Sequence, residues 1–310
     1  MRVNVRNHSL KELGARWERY AEEHPGLRSR ETAAVLGCSE AALVATGRGS
    51  RRVRRLEPGR TGMWLPLAAA EGRWMWLVRN DWAVLEKDVK ELAWKGGELC
   101  FGDAATEVGL DPATVGKGLV LLTEPERGLP VSVQIFNACG EAVLKLYLRD
   151  HGAREAVLAK LEPFALEVED AFRTCAEGTL GTKGGHPVRE NETRIAGSLH
   201  RELIQFGCEE PLPLTLTVEN SGARMRVTVK PKNLKPMETW FNILDRGFNL
   251  HLREAGLAST RVSRGVGGVL ARIESGTGAE VLRMELPSAA WKVIEEAKAG
   301  RSPSGARGRS

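Results

Sequence analysis

Two pairs of turn signals recur along the chain at nearly the same distance, and this spacing constrains the fold more than any other feature. Asn80 and Asn220 lie 140 residues apart, and Gly140 and Gly278 lie 138 residues apart. Each of them stands at the turn between two strand-like runs. When two different turn residues recur after nearly the same number of residues, the chain contains one structural unit twice. The sequence therefore predicts a tandem duplication of a hairpin–hairpin–helix unit.

The predicted fold class is α+β, with large antiparallel β-sheets flanked by helices. We expect an amino-terminal repeat over residues 1–177, a linker over 178–194, a carboxy-terminal repeat over 195–298 and a disordered tail over 299–310. The linker is placed in "GTLGTKGGHPVREN" because glycine and polar residues are typical of loops. The tail is rich in Gly, Ser and Arg, a composition typical of disorder.

A helical hairpin and a basic segment precede the first sheet. Residues 29–49 predict two short helices, with Ser39 at the start of the second. This pattern also resembles a helix-turn-helix, but "EAALVATG" offers no Arg, Asn or Gln to read base edges. We therefore favour a hairpin packed on a larger domain. The arginine-rich residues 47–60 are predicted to form a solvated loop.

Composition limits the kinds of protein that this chain can be. The net charge of +5 admits nucleic acid or anionic small molecules as partners, but it is too small to decide between them. Five scattered cysteines without a C-x-x-C motif favour reduced thiols. No apolar run approaches the roughly 20 residues of a membrane helix, and the amino terminus lacks a signal-peptide core. We expect a cytoplasmic protein with no membrane span.

Histidines are the main candidates for chemistry, because the motifs of common hydrolases, nucleotide-binding proteins and zinc proteases are absent. His200 adjoins the apolar stripe of a predicted helix and is expected to face a cleft. His186 lies in the glycine-rich linker, where a loop can present it to a ligand. His251 lies in an alternating run and is interpreted as structural.

One long segment resembles a known family. "VENSGARMRVTVKPKNLKPMETWFNILDRGFNLHLRE" is similar to the signature of the carboxy-terminal half of the bacterial hemin-degrading and haem-trafficking proteins. "AAVLGCSEAALVA", "LVRNDWAVLEK" and "VQIFNACGEAVLKLYLR" resemble their amino-terminal half. The resemblance covers roughly residues 10–165 and 195–296. It implies a tandem repeat of antiparallel sheets with helices, in agreement with the repeated offset.

The resemblance also implies a ligand and a site. Haem would lie in a cleft between helices and a sheet of the carboxy-terminal half, with one axial histidine and with basic side chains on its propionates. The iron ligands are predicted to be His200 and His186. The other predicted haem contacts are Arg264, Lys117, Lys232, Phe248 and Trp240. A haem oxygenase or a haem-uptake component is implied as a protein partner.

Several positions depart from the family pattern. The stretch that usually carries the ligand histidine reads "PFALEVEDAFRTCAEG", which contains none, and Leu85 replaces a second histidine. A distal arginine is also missing, with only Lys117 nearby. Loss of that donor disfavours ring opening, so we expect a protein that binds haem or a related tetrapyrrole for haem trafficking or utilisation, with assistance to haem degradation as the less favoured role. The alternative is a non-catalytic paralogue that binds a protein or nucleic acid through residues 47–60, and of these two nucleic acid is the less favoured.

Overall fold

The computed structural model of the chain describes residues 9–89, 93–94, 99–126, 129–168, 192–210, 213–265 and 267–300. These residues form nineteen β-strands and eight α-helices, with short 3-10 turns between them. The predicted linker lies outside the described residues up to residue 191, and so does the tail from residue 301. The division at 177 and 195 therefore stays a prediction.

The two halves share a strand–helix–eight strands–helix order. The helices are α1 (Leu10–Glu23), α2 (Ser29–Leu36), α3 (Glu40–Ala45), α4 (Thr61–Ala70), α5 (Pro112–Gly116), α6 (Arg154–Leu161), α7 (His200–Glu209) and α8 (Trp291–Lys298). The strands of the first half are β1 (Ser50–Leu56), β2 (Trp74–Arg79), β3 (Ala83–Val89), β4 (Ala93–Trp94), β5 (Cys100–Gly102), β6 (Thr106–Leu110), β7 (Leu119–Pro125), β8 (Ser132–Phe136), β9 (Ala142–Leu148) and β10 (Ala165–Glu167). Those of the second half are β11 (Thr193–Ala196), β12 (Leu214–Glu219), β13 (Ala223–Val229), β14 (Leu234–Pro236), β15 (Trp240–Asp245), β16 (Phe248–Arg253), β17 (Leu257–Gly265), β18 (Gly268–Ser275) and β19 (Glu280–Leu286). The shared order begins at β1 and at β11, while α1–α3 and α5 occur in the first half alone among the described residues.

The strands form two antiparallel sheets, and each sheet contains strands from both halves. Sheet A has the order β10-β1-β7-β8-β9-β2-β3-β16-β15-β14, and sheet B has the order β11-β17-β18-β19-β12-β13-β6-β5-β4. Each half thus gives three strands to the sheet of the other. The predicted duplication and the α+β class are confirmed, and the exchange of strands is a feature that the sequence pattern did not predict.

Two buried asparagines join the halves where the exchange takes place. The Nδ2 of Asn220 donates to the carbonyl oxygens of Arg79 and Val143, each at 2.9 Å. The Nδ2 of Asn80 donates to the carbonyl oxygens of Val281 and Glu219, at 2.8 and 3.4 Å. Each Oδ1 accepts two backbone N–H groups of its own turn. The two asparagines that mark the duplication in the sequence therefore also hydrogen-bond its two halves to each other.

The inner faces of both sheets share one hydrophobic core. On β2, Trp74 and Trp76 are fully buried on this side, together with Trp64 of α4. Helices α4, α6, α7 and α8 contribute buried residues to the same core. The opposite face of each sheet, here called its outer face, carries the alternate residues. On sheet A this outer face is partly covered by the hairpin α2–α3.

The basic segment 47–60 is not the loop that we predicted. Residues 50–56 form β1, which is hydrogen-bonded to β7 and β10. Arg54 is buried and pairs with Glu124 at 2.8 Å, and it also pairs with Glu162. Arg52 pairs with Glu167. The segment forms a strand because Leu56 enters the shared core and Val53 packs against a second apolar cluster.

The helical hairpin is packed on sheet A, and its second helix has no free face. All six residues of α3 are buried, so α3 does not present a surface to a DNA groove. Gly140 fixes its position. The carbonyl of Gly140 accepts from the N–H of Ala41 at 2.9 Å, and a Cβ on Gly140 would lie 2.6 Å from that of Ser39.

None of the helices in the described part of the chain is both long enough and apolar enough to cross a membrane.

Candidate functional site

The outer face of sheet A carries a cavity of about 350 Å³ beneath the hairpin α2–α3. Its size falls in the range of small-molecule sites, about 300–1,000 Å³. Met75 and Leu77 of β2, Val84 of β3 and Tyr147 of β9 form an apolar floor. We call this cavity the outer-face pocket.

The floor is apolar because strand alternation points these side chains away from the shared core. Trp74, Trp76 and Val78 of β2 face inward, so Met75 and Leu77 face outward. A run such as "WMWLVR" is apolar on both faces, which is typical of a strand covered on both sides. The hairpin α2–α3 covers part of the outer face of sheet A, and the pocket lies between this hairpin and the sheet.

A buried ion pair closes the inner end of the pocket. Lys145 of β9 and Glu40 of α3 are 7% and 1% exposed, and Lys145 Nζ lies 2.5 Å from Glu40 Oε1. Ser29 Oγ donates to the same oxygen at 2.7 Å. Burial acts to raise the pKa of Glu40, but Lys145 and the hydrogen bond from Ser29 outweigh it, and the pKa is lowered. The carboxylate is therefore ionised at neutral pH.

Cationic side chains outnumber carboxylates around the pocket. Its lining includes Arg28, Arg30, Arg79, Lys145 and Arg149, against Glu40 and Glu86. Arg30 pairs with Asp81 at 2.5 Å, and Arg149 donates to Asp88 at 3.3 Å. The guanidinium groups of Arg28 and Arg79 pair with no carboxylate of the described residues. The pocket is thus an apolar floor with a positively charged border.

The matching face of sheet B is organised differently. Four arginines and four glutamates alternate across it in a chain of ion pairs: Arg194, Glu274, Arg261, Glu192, Arg272, Glu280, Arg283 and Glu219. Each of these cations has a carboxylate within 4.0 Å. This face is neutralised by its own side chains.

His251 lies beside the outer-face pocket on β16. It is the cross-strand neighbour of Val84, and both side chains are on the outer face of sheet A. Its Nδ1 donates to Asn242 Oδ1 at 2.7 Å, since the Nδ2 of Asn242 is used on the carbonyl of Lys235. Burial lowers the pKa of His251; Glu86 opposes this and Arg28 adds to it. The ring is therefore neutral at pH 7, and its Nε2 carries a lone pair that no described residue uses.

His200, predicted as an iron ligand, uses both ring nitrogens. It is 4% exposed at the start of α7, with Nε2 2.7 Å from Glu254 Oε1 and Nδ1 2.8 Å from Ser198 Oγ. Because a carboxylate only accepts, Nε2 carries the proton and Nδ1 accepts from Ser198. Burial lowers the pKa of His200, against the opposing effect of Glu254. Iron ligation by His200 would first require one of these hydrogen bonds to break.

The other predicted contacts are not brought together. Phe248 is buried in the shared core, whereas Trp240 lies on β15, next to the edge strand β14 of sheet A. Arg264 lies on sheet B, 4.4 Å above the ring of Trp291. Lys117 follows α5 and Lys232 precedes β14, and both are exposed. None of these five lines the outer-face pocket, and His186 lies outside the described residues, so the predicted set remains untested as a site.

Sequence reasoning missed the pocket residues for identifiable reasons. Met75, Leu77 and Tyr147 look like ordinary core residues in apolar strands. His251 was interpreted as structural, because the sequence does not reveal that Asn242 occupies only one of its nitrogens. The one available signal was Arg79, a charged residue at the end of an apolar strand, directly before the turn marker Asn80.

Comparison with known proteins agrees with the resemblance found in the sequence. Residues 37–163 match the family model described as "Haemin-degrading HemS.ChuX domain". The hemin transport protein HmuS of Yersinia pestis is 25% identical over 285 residues, which cover 78% of this chain and 81% of HmuS. The chain is thus similar to this family's domain over residues 37–163. The hemin transport protein HemS of Yersinia enterocolitica is 26% identical over 291 residues, covering 80% and 84% of the two chains.

Solved structures of heme-binding and heme degrading proteins have a similar fold. The chain matches holo-PhuS, a heme-binding protein from Pseudomonas aeruginosa, with a TM-score of 0.74 at 23% identity, over 91% of this chain and 95% of PhuS. It matches the heme degrading enzyme ChuS of Escherichia coli O157:H7 with a TM-score of 0.73 at 19% identity, over 95% and 100%. At these identities the HemS/ChuX likeness establishes the duplicated-sheet fold, and the chemistry must be argued from this chain's own residues.

Proposed function

We propose that the chain binds haem, or a related tetrapyrrole, in the outer-face pocket and carries it to or from another protein. The observation that carries the proposal is the make-up of this pocket, an apolar floor bordered by unpaired arginines. A tetrapyrrole has a flat apolar ring and carboxylate side chains, and these need such a floor and such a border. The names of the relatives, hemin transport proteins and heme-binding proteins, support the same ligand.

The proposed site lies in the amino-terminal half, and not in the carboxy-terminal half that the resemblance implied. On the outer face of sheet B the cations are paired with glutamates, so little uncompensated positive charge remains there for propionates. On the outer face of sheet A two arginines, Arg28 and Arg79, have no ion pair with any carboxylate that the structure describes. Transfer is favoured over ring opening because Lys117, the basic residue nearest to the missing distal arginine in the sequence, does not line this pocket. A haem oxygenase or a haem-uptake component remains the proposed partner, in the cytoplasm.

Titration of the apo-protein with hemin tests this function. We expect a saturable change of the Soret band with one hemin per chain. Leu77→Gln should weaken binding by about tenfold, because it places a polar amide on the apolar floor. Leu244→Gln is the matched control, since Leu244 is an exposed leucine of the same sheet outside the pocket. Absence of a saturable change, or equal effects of the two substitutions, would reject the proposed site.

His251 is the proposed iron ligand, because a metal-binding imidazole typically donates its other N–H to a neighbouring oxygen, as His251 does to Asn242. His251→Ala should change the absorption and electron paramagnetic resonance spectra of the ferric complex. His200→Ala should leave these spectra as they are, since both nitrogens of His200 are engaged. The reverse pattern would return the ligand to His200 and contradict this assignment.

A further inference from the structure

Arg79 and Lys145 occupy a pair of positions whose combined charge differs between the two halves. Arg79 directly precedes Asn80, as Glu219 precedes Asn220, and Lys145 follows Gly140 by five residues, as Arg283 follows Gly278. In the second half the two equivalent residues, Glu219 and Arg283, have charges opposite to each other and lie 4.0 Å apart. In the first half both are cations. The duplicated scaffold therefore keeps a charge pair on sheet B and has two like charges on sheet A.

The like charges are only half compensated. Lys145 forms an ion pair with Glu40, and this is the one ion pair that the described residues make with either Lys145 or Arg79. Arg79 is left with no carboxylate among the described residues, and its Nε is buried with no hydrogen-bond partner. Burial lowers the pKa of Arg79, and Arg30 adds to this effect while Glu40 and Glu31 oppose it. A partly buried guanidinium without a directly paired carboxylate is unfavourable, so a bound anion would stabilise this arrangement.

The backbone holds Arg79 at the pocket. Its carbonyl accepts from Asn220 Nδ2 at 2.9 Å, and the same amide holds Val143 on β9, two residues before Lys145. The second half thus fixes the two strands that carry both cations. Arg79 lines the pocket together with Leu77, two residues before it on β2, and with the exposed Arg28. An anion bound there would adjoin an apolar body lying on the floor.

We propose that Arg79 binds the anionic group of the ligand and thereby makes the outer-face pocket selective for flat apolar molecules that carry an oxyanion, such as a carboxylate. The selectivity extends the proposed function, for which the oxyanion is a tetrapyrrole propionate. Arginine suits this role because its planar N–H donors match the two oxygens of a carboxylate. An uncharged molecule of the same shape would leave the guanidinium unpaired and bind less well.

Two fluorescent probes test the inference without haem. Anilinonaphthalene sulfonate carries an oxyanion on an aromatic body, and N-phenyl-1-naphthylamine is a similar body without charge. We expect Arg79→Gln to raise the dissociation constant of the anionic probe about tenfold, the size of effect typical of a lost charge-assisted hydrogen bond, and to leave that of the neutral probe unchanged. Arg226→Gln is the matched control: Arg226 is an arginine on sheet B, paired with Glu285, and its replacement should change neither constant.

The outcomes separate the inference from the proposed function. Equal weakening of both probes by Arg79→Gln, or no weakening of the anionic probe, would overturn the role of Arg79. Displacement of the anionic probe by hemin from the wild-type protein would support both proposals together. If Arg79→Gln acts only on the anionic probe and hemin does not displace it, the oxyanion site stands and the haem function is rejected.

Discussion

Asn220→Ala is expected to destabilise the protein by roughly 3–5 kcal/mol, although it removes only one small side chain. Asn220 is fully buried, and its amide makes four hydrogen bonds, two to carbonyls of the other half and two from its own turn. Alanine would leave those backbone groups buried without partners, and each unsatisfied group costs about 1–3 kcal/mol. Urea unfolding followed by circular dichroism measures the change in the free energy of unfolding.

Two further substitutions show which hydrogen bonds matter. Asn220→Asp keeps an oxygen for the turn and loses the two donated bonds, so it should recover only a small part of the loss. Asn137→Ala is the control for a turn asparagine, since Asn137 Oδ1 accepts from Cys139 and Glu141 within one hairpin. Its expected cost is about 1 kcal/mol. A loss at Asn137 as large as that at Asn220 would show that the contact between the halves is not the cause.

The part of the fold that was predictable is the part encoded by local pattern. Turn residues such as Asn80 and Gly140 identify hairpins, and their spacing identifies the duplication. Which sheet a hairpin joins is not a local property. The segment "ETWFNILDRGFNLHLRE" predicts strands in either arrangement, and its pairing with β3 depends on contacts between His251 and Val84 or Leu250 and Leu85, about 165 residues apart in the chain. Alternation alone could not reveal the exchange.

The site was less predictable than the fold, because its properties arise between elements. Arg79 stands out because its counterpart Glu219 forms an ion pair, whereas Arg79 forms none with the residues that the structure describes, and that comparison requires both sheets. Family resemblance directed attention to His200, whose ring the structure places between Glu254 and Ser198. It also directed attention to the carboxy-terminal half, where sheet B neutralises its own charges.

Lys145→Met is the second change with a large expected effect, about 3–5 kcal/mol, because it leaves the Glu40 carboxylate buried without a counter-charge. Both partners are almost completely buried, so solvent gives little screening. The double variant Glu40→Gln, Lys145→Met removes both charges and should recover most of the lost free energy of unfolding in urea. Recovery would assign the loss to the uncompensated carboxylate, whereas a double variant no more stable than Lys145→Met would assign it to lost packing.

The pH dependence of stability distinguishes the two explanations independently. In the wild-type protein the pKa of Glu40 is lowered, so its contribution is present above the usual value of 4.5 and is lost as the pH falls. Without Lys145, burial becomes the main influence on Glu40 and should raise that pKa instead. A group with a raised carboxyl pKa binds its proton more tightly in the folded state, so lowering the pH through that pKa should stabilise Lys145→Met relative to the wild type. The difference in the free energy of unfolding between the two proteins should therefore narrow as the solution is acidified, and a constant difference across this range would show that burial does not raise the pKa of Glu40 when Lys145 is absent.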